Sequence, residues 1–175
     1  MTDLKAMQQD LVSYSDGAFA LALQILGNRA DAEDAVQDAF VKVIRARFDP
    51  ARSSMRTFFF RIVRNAAIDL RRKRQDGLND IEELADQTNT PEQHAEAAEA
   101  STTLYRALDQ LNDSQRDIVL LKDYLGFSYA EIAQVMEIAE GTVMSRLHRA
   151  RLTLRDHLAH WHDHEKRSSE DTNDR

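Results

Sequence analysis

The chain has 175 residues, of which 30 are acidic and 23 are basic, so its net charge is −7. It contains no cysteine, which excludes disulfides, thiolate metal sites and thiol catalysis. No apolar run approaches the roughly 18 residues that cross a bilayer, and the first residues lack the pattern of a signal peptide. We therefore expect a cytoplasmic protein without membrane insertion. Few glycines and prolines and many good helix formers indicate an all-α fold.

Three helices are predicted in the first block, residues 1–75. Apolar residues at helical spacing predict a helix over Leu4–Leu26, which can break near Ser15–Gly17. A second helix is predicted over Ala30–Ala46. Pro50 and the serines after it predict a loop over 48–54, and the third helix follows over Met55–Arg74. The second helix gathers four apolar residues on one face: Val36, Phe40, Val43 and Ile44.

The charge changes sign abruptly at the end of the first block. Residues 51–75 carry eight basic side chains and one acid, whereas residues 76–100 carry eight acids and neither lysine nor arginine. Positive charge concentrated in this way is typical of a surface that meets a polyanion at one place. We interpret residues 76–90 as an acidic linker between two small helical domains.

The third helix separates its apolar residues from its basic residues. Arginine suits phosphate, asparagine can read a base edge, and an aromatic ring can stack on an unpaired base. This combination predicts a surface for a separated DNA strand. The plainer alternative is a solvated basic face, with Phe58 covered by the loop at 48–54. Phe58 borders a basic face made of Arg61, Arg64, Asn65, Arg71 and Arg72.

The second block, residues 91–158, is predicted to contain four helices. A capping box at 90–93 starts a helix that ends near Gln110, and further helices follow at about 113–125, 128–136 and 140–158. Ser128 and Glu131 form a second capping box, which opens a predicted helix-turn-helix over 128–154. Residues 159–175 are polar and are predicted to form a frayed tail.

The last of these helices has the character of a DNA-reading helix. Residues 141–155 carry four arginines and no acid. Small polar residues at a helix start and arginines along one face fit the major groove. The alternative is a helical hairpin that packs on the first block. The predicted exposed face consists of Thr142, Ser145, Arg146 and Arg149.

The sequence does not predict an enzyme, a cofactor or a metal site. It contains no nucleophile–base constellation and no glycine loop for a phosphate. His160, His162 and His164 alternate in the tail, but this spacing suits neither one helix face nor a paired-ligand motif. A solvated tail is the favoured interpretation, and incidental metal binding by it is left open.

Motifs in both blocks resemble bacterial extracytoplasmic-function (ECF) sigma factors of the sigma-70 family. Residues 31–40 resemble the polymerase-binding helix of that family, and residues 59–72 resemble its −10-element helix. In the second block, residues 111–121, 129–133 and 141–151 resemble its −35-reading domain. Each motif alone is weak, but both in this order, with an acidic connector between them, are specific.

The resemblance implies a sigma-2-like domain over 1–75 and a sigma-4-like domain over 91–158. It implies binding of the polymerase core, through the β′ clamp helices and the β flap, and of promoter DNA and an anti-sigma factor. The residues implied for core binding are Asp34, Gln37, Asp38, Phe40 and Val41. Those implied for the −10 strand are Arg56, Phe58, Arg61, Arg64, Asn65, Arg71 and Arg72. Those implied for the −35 duplex are Thr142, Ser145, Arg146, His148, Arg149 and Arg151.

Four positions depart from the family pattern. Phe58 replaces the usual tryptophan, and Met144 stands where lysine is common. Glu137 replaces the turn glycine, so a left-handed backbone there is strained. Ala139 replaces the usual serine and weakens the cap of the next helix by about 1 kcal/mol.

The predicted function is a sigma factor that directs polymerase to the promoters of a stress or signal-response regulon. The alternative is a stand-alone helix-turn-helix regulator. That alternative accounts for residues 128–154 but gives no reason for the arginine-rich third helix with Asn65 and Phe58.

Overall fold

The structure is a computed structural model that describes the backbone of residues 10–78 and 106–172 and the side chains of residues 10–76 and 106–159. The predicted helix start at Leu4, most of the acidic linker, and the capping box at 90–93 lie outside these ranges. Every regular element in the described residues is a helix. They are α1 (Ser15–Leu26), α2 (Arg29–Arg45), α3 (Met55–Leu78), α4 (Asp113–Val119), a π-helix (Leu120–Tyr124), α5 (Tyr129–Met136) and α6 (Glu140–Thr172).

Local signals set the helix boundaries in the first block. Residues 10–13 are helical and a turn at Tyr14 separates them from α1, so the helix breaks just before the predicted range Ser15–Gly17. Gly27, with φ 74°, ends α1 in the left-handed conformation that glycine adopts without strain, and its N–H donates to Leu23 O at 2.8 Å. The Asn28 side chain then caps α2 by accepting from Asp31 N at 2.9 Å.

Asp31 is a buried acid, 6% exposed, that connects the beginning of α2 to the far end of α3. One carboxylate oxygen accepts from Asn28 Nδ2 at 2.7 Å, and the other accepts from Arg74 Nη2 at 2.6 Å. A buried carboxylate needs such partners because burial without them is costly. Asp31 therefore fixes the two helices relative to each other.

Two predicted helix ends and one predicted helix type differ from the structure. Helix α3 continues past Arg74 to Leu78, so the first residues of the acidic stretch are helical. Helix α6 continues to Thr172, whereas the sequence predicts that it ends near residue 158. Residues 142–172 contain no glycine or proline, and polarity alone does not end a helix.

The predicted helix at 113–125 is the third difference. It changes to π geometry after Val119, and Leu125 N donates to Leu120 O, five residues back. Over so short a segment, the spacing of apolar residues does not distinguish a π-helix, which bonds to the fifth residue back, from an α-helix, which bonds to the fourth. The sequence therefore predicts an ordinary α-helix.

The two blocks pack against each other around one continuous apolar core. Helices α1, α2 and α3 contact one another, as do α4, α5 and α6 through α4–α6 and α5–α6 contacts. Helix α3 also contacts α5, and α1 contacts α4. Phe60 of α3 and Phe127 of the second block are both buried, with ring centroids 5.0 Å apart. No local pattern in the sequence predicts how the two blocks pack on each other.

Glu137 stores strain in the turn between α5 and α6. Its φ of 56° and ψ of 44° lie in the left-handed region, and its N–H donates to Ala133 O. The left-handed backbone that would be strained at this position is therefore present. Because a side chain is disfavoured there, Glu137→Gly is expected to raise the free energy of unfolding by about 1 kcal/mol. Urea titration measures the change.

Ala130→Gly is the matched control for this substitution. Ala130 is exposed inside α5, where the backbone is right-handed and glycine is unfavourable. It is expected to lower the free energy of unfolding by about 1 kcal/mol. A loss of stability in both variants contradicts the strain at Glu137.

Candidate nucleic-acid interface

The loop before α3 and the start of α3 are shaped by short polar side chains. Asp49 accepts from Ala51 N at 3.0 Å, which turns the chain after Pro50. Ser54 Oγ accepts from Thr57 N at 3.1 Å and so caps α3. These local bonds shape the loop and fix the start of α3, with Ser54 four residues before Phe58.

A cavity of about 410 Å³ lies between this loop, α3 and α5. The Phe58 ring lies 5.4 Å from the Phe48 ring, and the Arg61 guanidinium lies 5.5 Å from the Phe58 ring centre. Phe58 is thus partly covered, yet it still lines the cavity. A ring beside several guanidinium groups can accept a base and its phosphate. The lining residues are Arg47, Asp49, Arg52, Ser53, Phe58, Arg61, Gln134 and Glu137.

Three of the arginines predicted for the −10 strand contact the second block instead. Arg56 Nη2 donates to Leu125 O, and its guanidinium lies 3.9 Å from the centre of the Phe127 ring. Arg64 Nε pairs with Asp117 Oδ2 at 3.3 Å, and Arg71 Nη1 pairs with Asp113 Oδ2 at 2.7 Å. Of the other predicted residues, Arg61 and Asn65 are half-buried and Arg72 is exposed.

The Arg64–Asp117 pair is buried, with side-chain exposures of 16% and 5%. Burial raises the pKa of Asp117 above its ordinary value, and the opposing effect of Arg64 does not cancel it. Folding therefore favours the protonated carboxyl. The stability that Asp117 contributes is largest below its ordinary pKa and falls as pH rises through the raised pKa.

The pKa of Glu131 shifts in the opposite direction to that of Asp117. Burial acts to raise its pKa, but hydrogen bonds from Ser128, with Arg56 and Thr57 nearby, hold the pKa below its ordinary value. Ser128 N donates to Glu131 Oε2 at 2.9 Å and Glu131 N donates to Ser128 Oγ at 3.2 Å, which confirms the predicted capping box. Thr57 Oγ1 lies 3.4 Å from Glu131 Oε1 and joins this cap to α3.

Helix α6 presents part of the predicted DNA-reading face. Arg149 and His148 are exposed, as is Ser145, whose hydroxyl donates to Thr142 O at 3.1 Å. Val143, Leu147 and Ala150 are buried and fix the helix on the block.

Two of the predicted arginines of α6 have partners within the second block. Arg146 is half-buried and donates to Ser114 Oγ at 2.6 Å, which ties α6 to α4. Arg151 pairs with Asp123 at 2.5 Å, and this hydrogen bond raises the pKa of the Arg151 guanidinium above its ordinary value. Thr142 is half-buried. Fewer side chains of the predicted DNA-reading face are therefore free to contact DNA than the sequence predicts. Of Arg146, Arg149 and Arg151, Arg149 is the most accessible.

Helix α2 exposes acids and apolar side chains together. Asp34, Gln37 and Asp38 are exposed, and Val41 is 44% exposed. Phe40 is half-buried instead, with its ring 4.9 Å from that of Phe59.

The sequence interpretation missed two parts of these surfaces. Ile44, assigned to the apolar face of α2, is 56% exposed beside Val41. Arg47 and Arg52 line the cavity near Phe58, and their position flanking the predicted loop is the signal that could have indicated them.

No cluster of three metal-ligating side chains occurs among the residues whose side chains are described. His160, His162 and His164 lie outside that set. None of the helices within residues 10–78 and 106–172 combines the length and apolar character that crossing a membrane requires.

Comparison with known proteins matches both blocks. The sequence matches the Sigma-70 region 2 family over residues 11–76 and the Sigma-70, region 4 family over residues 101–154. ECF RNA polymerase sigma factor SigW of Bacillus subtilis is 32% identical, over 83% of this chain and 84% of SigW. SigL of Mycobacterium tuberculosis is 37% identical, over 77% of this chain and 81% of SigL. SigE of Mycolicibacterium smegmatis is 34% identical, but this chain spans only 59% of SigE.

Solved structures match as well. The sigma factor RpoE in complex with the anti-sigma factor NepR, from Bartonella quintana, has a TM-score of 0.73 and 26% identity, over 89% of this chain and 98% of the matched chain. CnrH in complex with the cytosolic domain of CnrY has a TM-score of 0.63 at 24% identity, over 89% of each chain, and shows the fold alone. The chain therefore belongs to the ECF sigma factors of the sigma-70 family.

Proposed function

We propose that this sigma factor directs the polymerase core to promoters by dividing the DNA between its two blocks. The first block, 1–75, binds the core and the separated −10 strand, and the second, 91–158, binds the −35 duplex. Residues 76–90 link them and 159–175 form a tail. The observation that carries the proposal is the presence in one chain of an aromatic, arginine-lined cavity and an exposed recognition helix.

The −10 strand enters the cavity beside Phe58 in this proposal. Opening duplex DNA exposes bases that must be stacked elsewhere, and a stacked base contributes about 1–3 kcal/mol. Arg47, Arg52 and Arg61 surround that cavity and supply charge for the phosphates. Asn65 lies one helical turn after Arg61 on α3, and in this proposal its amide reads a base edge. Arg72, which is exposed, extends the basic face. Arg56, Arg64 and Arg71 also belong to the proposed strand site, but they contact the second block in the observed arrangement and exchange those partners to bind the strand.

The −35 duplex is bound by α6. Its first turn, after Ala139, supplies N–H groups for a phosphate, with Thr142 and Ser145 beside them. Arg149 is exposed and reaches a base edge or a phosphate, and His148 and Arg151 lie on the same exposed stretch of the helix. Arg146 positions α6 through Ser114 and contributes charge near the duplex.

The exposed face of α2 is the proposed contact with the β′ clamp helices of the core. Apolar side chains on a surface with acids around them are typical of a protein interface. Val41 and Ile44 provide the apolar centre, and Asp34, Gln37 and Asp38 the polar rim. Phe40 supports the face from below through Phe59. The second block takes the β flap as its partner.

An anti-sigma factor is the remaining proposed partner. The likeness to RpoE, a sigma factor solved with its anti-sigma factor NepR, extends over 89% of this chain and so includes both blocks. Control by such a partner fits a regulon that answers stress or another signal. The cytoplasm, where polymerase acts, is the proposed location, and no catalytic activity is proposed.

Transcription with purified core tests the whole proposal. The chain plus core is expected to start RNA from a subset of a random promoter pool, whereas core alone is not. A stand-alone regulator predicts the opposite behaviour, which is tight duplex binding without core in a gel-shift assay. Absence of RNA from every template contradicts the proposal.

Asn65→Ala is expected to impair promoter opening more than holoenzyme binding. Loss of one amide contact to an unpaired base lowers the yield of open complex by about tenfold, because each such contact contributes 1–3 kcal/mol. Permanganate reactivity of unpaired thymines measures opening, and a fluorescence titration measures core binding.

Gln75→Ala is the control for this amide. Gln75 is exposed near the end of α3, away from the cavity, and its loss is expected to leave opening unchanged. Equal opening by wild type and Asn65→Ala removes the role given to Asn65.

A further inference from the structure

Helix α6 exposes one large apolar side chain on its proposed DNA-reading surface. Met144 is 47% exposed, whereas Val143 before it and Leu147 after it are buried. Among the side chains of α6 that the structure describes, it is the one large apolar side chain with this exposure. Single exposed apolar residues are common on protein surfaces, so exposure alone gives Met144 no role. Its surroundings provide the argument.

The neighbours of Met144 are residues proposed to contact the −35 duplex. Ser145 and Arg149 are exposed, and so is His148, which lies one turn after Met144 on the same face of α6. Residues 141–155 contain no acid that would repel DNA. In a helix-turn-helix, the N-terminal turns of the second helix meet the base edges in the major groove. Met144 lies in the second turn of α6 and is therefore placed to contact a base.

Open space next to Met144 lets a base approach it closely. Side chains in a helix lean toward its N-terminus, so the Met144 side chain extends toward the turn that contains Gly141. Gly141 is exposed, and a β-carbon added there would meet no side chain within 4 Å. The apolar surface of Met144 is therefore uncovered on this side.

The chemistry of the major groove restricts what this apolar surface can accept. The base edges present hydrogen-bond donors and acceptors, and the single apolar group among them is the C5-methyl group of thymine. Against a polar edge, the Met144 side chain would displace water without replacing its hydrogen bonds, which is unfavourable. Against thymine it covers a methyl group, and the flexible, polarisable thioether adapts well to such a contact.

We propose that Met144 contacts the C5-methyl group of one thymine in the −35 duplex and so selects an A·T pair of fixed orientation at that position. The proposal rests on the function given above. Arg149 lies five residues later, roughly 7.5 Å along the helix axis. At about 3.4 Å per base pair, the selected thymine lies within about two or three pairs of the Arg149 contact.

Promoter selection gives the first test. Holoenzyme containing the wild type is expected to start RNA from templates with a preferred thymine at one position of a randomised −35 element. With Met144→Ala, the preference at that position is expected to disappear while preferences at other positions remain. Selected templates without a preferred thymine, or with the same preference in both proteins, overturn the proposal.

Exchange of single thymines for 2′-deoxyuridine gives the sharper test. Deoxyuridine lacks the methyl group but keeps every hydrogen-bonding atom of the base. At the selected position, this exchange is expected to weaken binding of wild-type holoenzyme by about fourfold, the effect of burying one methyl group. Met144→Ala holoenzyme is expected to bind the two duplexes equally. Fluorescence anisotropy of a labelled promoter fragment measures the affinities.

The four affinities form a cycle that isolates the contact between the side chain and the methyl group. If Met144→Ala weakens binding to the thymine and uracil duplexes by the same factor, the methionine acts elsewhere and the proposal is overturned. The same conclusion follows if the exchange weakens binding of both proteins by fourfold.

Tyr124→Ala is the matched control. Tyr124 is a large side chain of the second block that is 72% exposed, and it lies in the π-helix, outside α5 and α6. Its loss is expected to leave the fourfold effect of deoxyuridine intact. Loss of that effect in Tyr124→Ala overturns the assignment to Met144.

Two further measurements exclude other roles of Met144. Because methionine is uncharged, Met144→Ala is expected to leave the salt dependence of promoter binding unchanged. It is also expected to leave the affinity for core without DNA unchanged. A salt slope lowered by about one indicates a lost phosphate contact, and weaker core binding indicates a protein contact. Either result overturns the proposal.

Transcription by the wild type separates this proposal from the proposed function. If wild-type holoenzyme starts no RNA on any template, the proposed function fails, and methyl recognition fails with it. If it starts RNA but the response to deoxyuridine does not depend on Met144, only methyl recognition fails.

Discussion

Arg149→Ala is expected to weaken binding of the holoenzyme to promoter duplex by about tenfold to a hundredfold, the range for one lost arginine contact. Arg149 is exposed on α6, whereas Arg146 is turned toward Ser114 and Arg151 toward Asp123. If Arg149 contacts a phosphate, the dependence of log affinity on log salt concentration also falls by about one. Titration of a labelled promoter fragment at several salt concentrations measures both effects.

Arg146→Ala distinguishes a structural arginine from a DNA-reading one. Its guanidinium donates to Ser114 Oγ at 2.6 Å, so its loss is expected to lower the free energy of unfolding by about 1 kcal/mol. Arg149→Ala is expected to leave that free energy unchanged because the side chain is exposed. If the holoenzyme with Arg149→Ala binds the promoter as tightly as the wild type, Arg149 does not contact promoter DNA as proposed.

Val41→Asp is expected to lower the affinity for the polymerase core by at least about tenfold, with Ile44→Asp acting in the same direction. Both apolar side chains are exposed on α2, and placing a charge at the centre of an interface leaves that charge without water or a partner. Because the residues are exposed, folding is expected to be unaffected. Fluorescence anisotropy of the labelled chain with purified core measures the affinity.

Val12→Asp is the control for a new surface carboxylate. Val12 is more exposed than Val41 and lies outside α2, so the same substitution there is expected to leave core binding unchanged. Equal losses at positions 12 and 41 indicate a general charge effect and contradict the assignment of α2 as the core-binding helix.

Local signals in the sequence were sufficient for most of the helices. The capping box at Ser128, the turn after Pro50 and the apolar periodicity of α3 each depend on neighbours within a few residues. They predicted α5, the loop and α3 to within a few positions.

The packing of one block on the other could not be predicted in this way. Arg64 and Asp117 are 53 residues apart and Arg56 and Leu125 are 69 apart, and no local pattern pairs them. The sequence therefore assigned Arg56, Arg64 and Arg71 to an open basic face, whereas the structure pairs them with the second block. The exposure of Ile44 could not be predicted from local patterns either, because it depends on which elements pack beside α2.

Asp31 has a consequence for how this chain changes over evolution. Its buried carboxylate accepts from Asn28 on one side and from Arg74, whose side chain is 55% exposed, on the other, so replacing the acid removes both contacts. We therefore expect a substitution at 31 to be tolerated more readily in descendants of this sequence when 74 changes with it. The start of the proposed core-binding helix and the end of the proposed strand-binding helix are then expected to change together.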